Sequence, residues 1–257
     1  MDEREEQFDD GNLSVVTRVG NTVRRESGPW TPAVHLLLRH LEAADFPGAP
    51  RVLGFDDRGR EVLSFIEGMT IPASLDGFRS DMILIEVAQL LRRYHDATTT
   101  FAIPSAAWQW KIGAPPSREV VCHNDIGPYN TVVRDGHPAA FIDWDFAAPG
   151  LRIWDIAHAL WRFAPIYDGE EHGSAAERGR RMHVFCDAYG FSDYDEILRT
   201  IQHRMTASYT SLAAWAAAGI PAYVRLWQEG HTDGVLRDLA YLCQHWTALR
   251  QHLGVDD

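Results

Sequence analysis

Two kinds of periodicity divide this chain, and their order constrains its fold more than any other feature. Residues 13–19 (LSVVTRV) and 22–25 (TVRR) read as strands around Gly20-Asn21, a dipeptide suited to a tight hairpin. Pro29 and Pro32 then punctuate a loop. Thr31 stands at a capping position with Pro32 at the first helical one. Val34, Leu37, Leu38 and Leu41 recur at helical spacing, which predicts an amphipathic helix over 32–44. Strand patterns return at 50–56 and 61–66 around the Asp57-Arg58-Gly59 turn. Strands, one helix and strands again within seventy residues describe a small sheet carrying a single helix.

After Glu67-Gly68 the pattern changes. Ser80 is placed to cap a helix running to about Ala97, with Leu84, Val87, Ala88, Leu91 and Tyr94 as its stripe. Short strand patterns follow at 119–122, 131–133 and 139–142, and from 153 the chain reads as helical with interruptions. Ser192 with Asp195 imitates a capping box for a helix ending near Gly219, and Asp233 is placed to cap a last helix. The run Ala213–Ala218 suits a buried helix face. The expected fold is α+β and two-lobed. Residues 1–67 form a small N-terminal antiparallel sheet lobe, with 1–10 as a frayed tail, and 68–257 form a larger, mainly helical lobe.

Composition narrows the function. The 257 residues are 46% hydrophobic and 23% charged, the balance of an ordinary globular chain. No apolar run approaches the roughly 18 residues that cross a bilayer, and MDEREEQFDD lacks the basic and apolar regions of a secretory signal. Three widely spaced cysteines, at 122, 186 and 243, carry no disulfide or metal pattern, and a reducing cytoplasm is the expected location. The net charge of −12 disfavours nucleic acid as a partner and suits a small cationic molecule.

The chemistry concentrates in residues 121–145, VCHNDIGPYNTVVRDGHPAAFIDWD. His123-x-Asp125-x-x-x-x-Asn130 precedes a short hairpin that ends in Asp143. Phosphoryl transfer from ATP needs a carboxylate to receive a hydroxyl proton and oxygen ligands to hold Mg²⁺ against the phosphates. Asp125 and Asn130 on one loop supply a base and one ligand, and Asp143 after the next strand supplies the other. With four asparagines, twelve histidines and twenty-two aspartates in the chain, chance placement gives this spacing about 0.02 times.

These residues, with Ile142-Asp143-Trp144-Asp145 and Trp154-Asp155-Ile156-Ala157, resemble the aminoglycoside phosphotransferase family of kinase-like enzymes. The Pro-Tyr-Asn form of the loop is similar to that of short relatives of the trifolitoxin-immunity type. The resemblance runs from about Gly11 to Ala164 and is sharp at 121–157. It implies ATP and Mg²⁺ as cofactors and a hydroxylated, small-molecule acceptor as partner. It makes Asp125 the catalytic base, Asn130 and Asp143 the metal ligands, His123 an organiser of the loop and Asp155 a brace beneath it. The backbone of Ser64, Phe65, Ile66 and Glu67 would meet adenine, and Gly11 and Asn12 would lie over the phosphates.

The chain departs from the family in its first lobe. No Gly-x-Gly-x-x-Gly is present, and the only lysine, Lys111, lies outside the strand where the family carries one. Arg24 and Arg25 stand there instead, and alternation turns one of them into the cleft: Arg25, if Val23 covers adenine. Val34 or His35 occupies the place of the helix glutamate that pairs with that lysine, and the plain reading of His35 is a packed helix residue. Asp145 reads as a capping or exposed residue, with a second metal contact as its alternative. Acids after residue 165, among them Asp187, Asp193, Asp195, Glu229 and Asp233, are candidates for reading an amine, although a solvated helix face explains most of them. The expected function is therefore an ATP- and Mg-dependent small-molecule O-kinase. The alternative is a weak or inactive kinase-fold protein that sequesters a ligand.

Overall fold

The computed structural model describes residues 5–8, 16–71, 80–102 and 118–254. Ten strands come in chain order: β1 (Glu5–Phe8), β2 (Val16–Val19), β3 (Thr22–Arg25), β4 (Val52–Phe55), β5 (Glu61–Ser64), β6 (Met69–Thr70), β7 (Val120–Cys122), β8 (Thr131–Arg134), β9 (His137–Phe141) and β10 (Ala148–Gly150). The helices are α1 (Thr31–Ala43), α2 (Asp81–Thr98), α3 (Arg152–Phe163), α4 (Ala175–Tyr189), α5 (Tyr194–Ala217), α6 (Pro221–Gln228), α7 (His231–Gln244) and α8 (Trp246–Leu253). They fall into two compact units, one spanning Met1–Leu75 with Leu90–Arg152, the other Asp76–Gln89 with Ile153–Asp257.

In the first unit an antiparallel sheet has the order β1-β2-β3-β5-β4. Gly20, at φ 58°, takes the first central position of the β2–β3 turn and sets Val19 opposite Thr22. That register carries through to β5, where Arg25 lies opposite Glu61 and Thr22 opposite Ser64. Directly opposed residues share a face of the sheet, so Arg25 and Glu61 point the same way and Arg24 points the other. Glu5–Phe8, expected as tail, instead pair with β2. Beside the ladder, Arg60 donates to Glu5 at 2.9 Å.

Helix α1 buries Val34, Leu37, Leu38 and Leu41 and touches β4 and a short 3₁₀ turn at Trp144–Phe146. Each buried leucine contributes about 2 kcal/mol by area removed from water. Trp30, not Thr31, stands at the N-cap position and makes no side-chain cap bond, and the Thr31 hydroxyl accepts from the Gly28 N–H at 2.8 Å. Beneath it, Tyr94 meets Trp144 edge-on at 5.0 Å. Two small sheets complete the unit, β6-β8-β9 and β10-β7. Gly68 permits the first of them: at φ 138° it brings its backbone so close that a Cβ would lie 2.5 Å from the Val133 carbonyl oxygen.

The second unit is helical. The expected capping box shifts by one residue, since Asp193 accepts from Glu196 N–H at 3.1 Å, and Asp is among the strongest caps. The last segment is two helices rather than one, with α7 beginning at His231, before Asp233, and α8 following after His245. The alanine-rich run at 213–218 is half-buried to exposed, not buried, because α5 outruns the core it packs on at Ile197, Ile201 and Met205. Trp144 and Trp161 are fully buried, while Trp227 is 44% exposed. Among the described residues no helix is long and apolar enough to cross a membrane.

Candidate active site

The centre of the site is a backbone turn. Strand β7 is buried throughout and ends at Cys122, after which Asn124 adopts φ 67°. Asparagine tolerates this left-handed conformation, and its side chain donates to the Phe146 carbonyl at 2.9 Å. His123 is fully buried between two backbone groups. Its Nδ1 accepts from Asp125 N–H at 3.3 Å, which leaves Nε2 to donate to the Ile142 carbonyl at 3.1 Å. One imidazole thus fastens the loop of Asp125 to the strand end that precedes Asp143, and the Trp144 ring covers it at 4.6 Å.

Pro128–Asn130 form a single 3₁₀ turn that returns Asn130 to Asp125. The Asn130 Nδ2 donates to the Asp125 carboxylate at 2.9 Å and to its carbonyl at 3.0 Å, so the amide oxygen is the donor left for a cation. Tyr129 Oη donates to the other Asp125 oxygen at 2.8 Å. The Asn130 carbonyl accepts from Ile142 N–H at 3.0 Å, which makes Asp143 its neighbour. Asp143 itself is left-handed at φ 61° and heads the 3₁₀ turn that carries Asp145.

From the five-stranded sheet comes Arg25, 6% exposed. Its NH1 donates to Asp143 at 2.8 Å and its NH2 to Asp145 at 2.5 Å. Its Nε donates to Glu61, whose other oxygen is bonded to His35 Nε2 at 2.9 Å. Burial alone would lower the Arg25 pKa, but Asp145, Asp143 and Glu61 outweigh it and hold the guanidinium above its ordinary value. Arg24 lies on the opposite face, 3.9 Å from Asp56.

The structure therefore brings Asp125, Asn130, Asp143, His123 and Arg25 together. Arg24 is not among them. Ser64 ends β5 with its hydroxyl accepting from Arg51 N–H at 2.8 Å, and Phe65 N–H donates to Asn21 at 2.8 Å. The Phe65 ring lies 3.7 Å beneath the Arg18 guanidinium, which also pairs with Glu67 at 3.1 Å, and Ile66 continues this connection. Asp155 is fully buried in the first turn of α3. Gly11 and Asn12 lie outside the described residues. Sequence reasoning assigned no role to Glu61 or Tyr129. Tyr129 sits inside the motif it read, but Glu61 is marked only by strand register.

The donor set around Asn130 and Asp143 is all oxygen, the chemistry of a hard divalent ion such as Mg²⁺ rather than of a thiolate- or imidazole-bound metal. Among the described residues no group of three or more His, Cys, Asp or Glu gathers as a metal site.

Of the acids expected to read an amine, Asp187 accepts from Tyr194, Asp193 caps α5 and Asp195 pairs with Arg199 at 2.7 Å. Glu229 lines a cleft of about 390 Å³ in the second unit, with Arg162, Arg237 and Asp238. Asp238, which the sequence reading did not single out, accepts from the Trp161 indole at 3.0 Å, and burial pushes its carboxyl above the usual range.

A model of the phosphotransferase enzyme family matches residues 101–197. The trifolitoxin immunity protein of Rhizobium leguminosarum bv. trifolii is 40% identical over 192 residues, 71% of this chain and 72% of that protein. The chain belongs to the aminoglycoside phosphotransferase family. Solved structures similar to it include an amicoumacin kinase in complex with AMP-PNP, Ca²⁺ and Ami (TM-score 0.64, 12% identity, 81% of this chain and 80% of that one). They also include the GDP complex of aminoglycoside 2'-phosphotransferase-IIIa (TM-score 0.62, 14% identity, 93% of each chain). A third is a choline/ethanolamine kinase family protein from Mesorhizobium loti (TM-score 0.59, 15% identity, 94% of this chain and 92% of that one). At such identities the likeness is one of fold: α+β and protein-kinase-like, with an N-terminal antiparallel sheet and a mainly helical C-terminal region.

Proposed function

We propose that this protein is an ATP- and Mg-dependent phosphotransferase that moves the γ-phosphoryl group to a hydroxyl of a small, cationic molecule. The observation that carries this reading is the convergence of Asp125, Asn130 and Asp143 from two neighbouring turns, with Arg25 against Asp143. Residues 1–67 would cover the nucleotide, with the 64–67 connection at adenine, and the acceptor hydroxyl would lie at Asp125. Asp125 accepts the proton of the attacking hydroxyl. Asn130 and Tyr129 each hold one oxygen of its carboxylate, which fixes the face presented to the acceptor. His123 and Asn124 hold the loop in place, so its orientation is set before substrate arrives. Asn130 and Asp143 would bind the metal, which when present neutralises phosphate charge and aligns the nucleotide. Arg25 supplies the fixed cation that the family's strand lysine supplies elsewhere, and its fork suits phosphate oxygens.

Phosphate transfer from Mg·ATP, measured against aminoglycosides, other amino sugars, choline and amino alcohols, tests the reading. One or more acceptors should be phosphorylated, and Asp125→Asn and Asp143→Ala should each lower turnover by at least about a hundredfold. Neither nucleotide binding nor turnover in the wild type, or full activity in both variants, would refute it.

The second reading is ligand sequestration without transfer. It is favoured by the 40% identity to a protein named for immunity and by the missing lysine. A thermal shift with an acceptor but no phosphorylated product would select it.

A further inference from the structure

The fork of Arg25 reaches two carboxylates, but its Nε is held from behind. Glu61 lies directly across the β3–β5 ladder from Arg25 and accepts from that Nε. Glu61 is 1% exposed and its second oxygen is bonded to His35 of α1, itself 6% exposed. The Phe55 ring packs against His35 at 5.0 Å. Both Glu61 oxygens are thus engaged, one by the Arg25 guanidinium and the other by the His35 imidazole. A buried carboxylate costs stability unless it is paired, so this one is explained by what it does to the arginine. Holding Nε fixes the guanidinium plane and leaves NH1 and NH2 aimed at Asp143 and Asp145.

We infer that Glu61, backed by His35, positions Arg25 as a phosphate-binding group, so that a strand glutamate and a helix histidine together replace the missing helix glutamate. The inference rests on the phosphotransferase reading for its ligand. A phosphate that takes the place of either carboxylate on Arg25 meets a guanidinium plane already fixed by Glu61, and little side-chain freedom remains to be lost. Glu61 touches no substrate; it acts through Arg25.

Binding of AMP-PNP and of adenosine in Mg²⁺, measured by calorimetry on the full chain, tests it. Glu61→Gln should weaken AMP-PNP about tenfold and leave adenosine unchanged, because only the phosphates use Arg25. Arg25→Met should do the same, and the R25M/E61Q double variant should be no weaker than R25M. Equal loss for adenosine and AMP-PNP, or an E61Q loss that persists undiminished in the R25M background, would overturn the inference and leave the phosphotransferase reading standing. A wild type that prefers adenosine to AMP-PNP would overturn both. Should E61Q melt below the assay temperature, the His35 variants carry the same test: H35L should weaken AMP-PNP alone and H35Q should restore it, and no difference between them would overturn the proposal.

Discussion

Asn124 and Asp143 both hold left-handed backbone, at φ 67° and 61°, on either side of the candidate base. An alanine at 124 would carry the steric cost of that conformation, about 1 kcal/mol, and lose the bond to Phe146, about 1 kcal/mol more. Asn124→Ala is therefore expected to lower unfolding free energy by about 2 kcal/mol in urea, and Asn124→Gly, which keeps the backbone conformation, by about half as much. Tyr129 separates orientation from stability. It is 45% exposed, so Tyr129→Phe should shift unfolding by less than about 0.5 kcal/mol. Transfer should nonetheless slow several-fold, because one oxygen of Asp125 loses its partner. Steady-state kinetics beside a urea titration would show whether the two effects divide in this way. The Asp125, Asn130 and Asp143 set was legible in the sequence because local turns and one hairpin bring it together. Glu61 was not, because only the β3–β5 register sets it opposite Arg25.

At the scale of elements, helix ends and close approaches decide stability. Ser174 caps α4 by accepting from Glu177 N–H at 3.2 Å, so Ser174→Ala should cost about 1 kcal/mol. Gly179, buried within α4, lets α8 come close: a Cβ there would lie 2.8 Å from the His252 Cβ and 2.9 Å from the Leu249 carbonyl oxygen. Gly179→Val cannot be absorbed by a flexible side-chain tip, and it should raise hydrogen exchange along α8 by an order of magnitude or more while β2, β3 and β5 remain unchanged. The sequence pattern placed the hairpin turn and the α2 cap well, where Ser80 accepts from Ile83 N–H at 3.2 Å. It missed β1, which pairs with β2, and the exposure of the alanine-rich end of α5, since periodicity shows which face is apolar but not where the core it could cover ends.

For the whole molecule, pH is the informative axis. Arg180 grips Asp81 at 2.8 and 2.9 Å and holds its carboxyl below the ordinary 3.8. That pair contributes stability above pH 3.8, and the contribution is lost as pH falls through the lowered folded value. Asp81→Asn should therefore melt below the wild type at neutral pH, with the two curves converging in acid. The half-exposed pair makes the gap small. Asp238 has the opposite sign. Burial raises its folded value, so its contribution is full below 3.8 and is lost as pH rises through that raised value. The melting temperature of Asp238→Asn relative to the wild type should move in the variant's favour from pH 3.8 to neutrality. Scanning calorimetry of the three proteins across that range checks both signs.

The family, the α+β order and the grouping of Asp125, Asn130 and Asp143 were decided by the sequence itself, because each depends on residues close together along the chain or on a periodicity that local geometry imposes. The counter-ion that meets Asp143 was decided only by the tertiary structure. Arg25, Glu61 and His35 are separated by 36 and 26 residues, and Arg25 and Asp143 by 118. Strand register and the seating of α1 on the sheet bring them into contact, and no local preference of the chain encodes those distances.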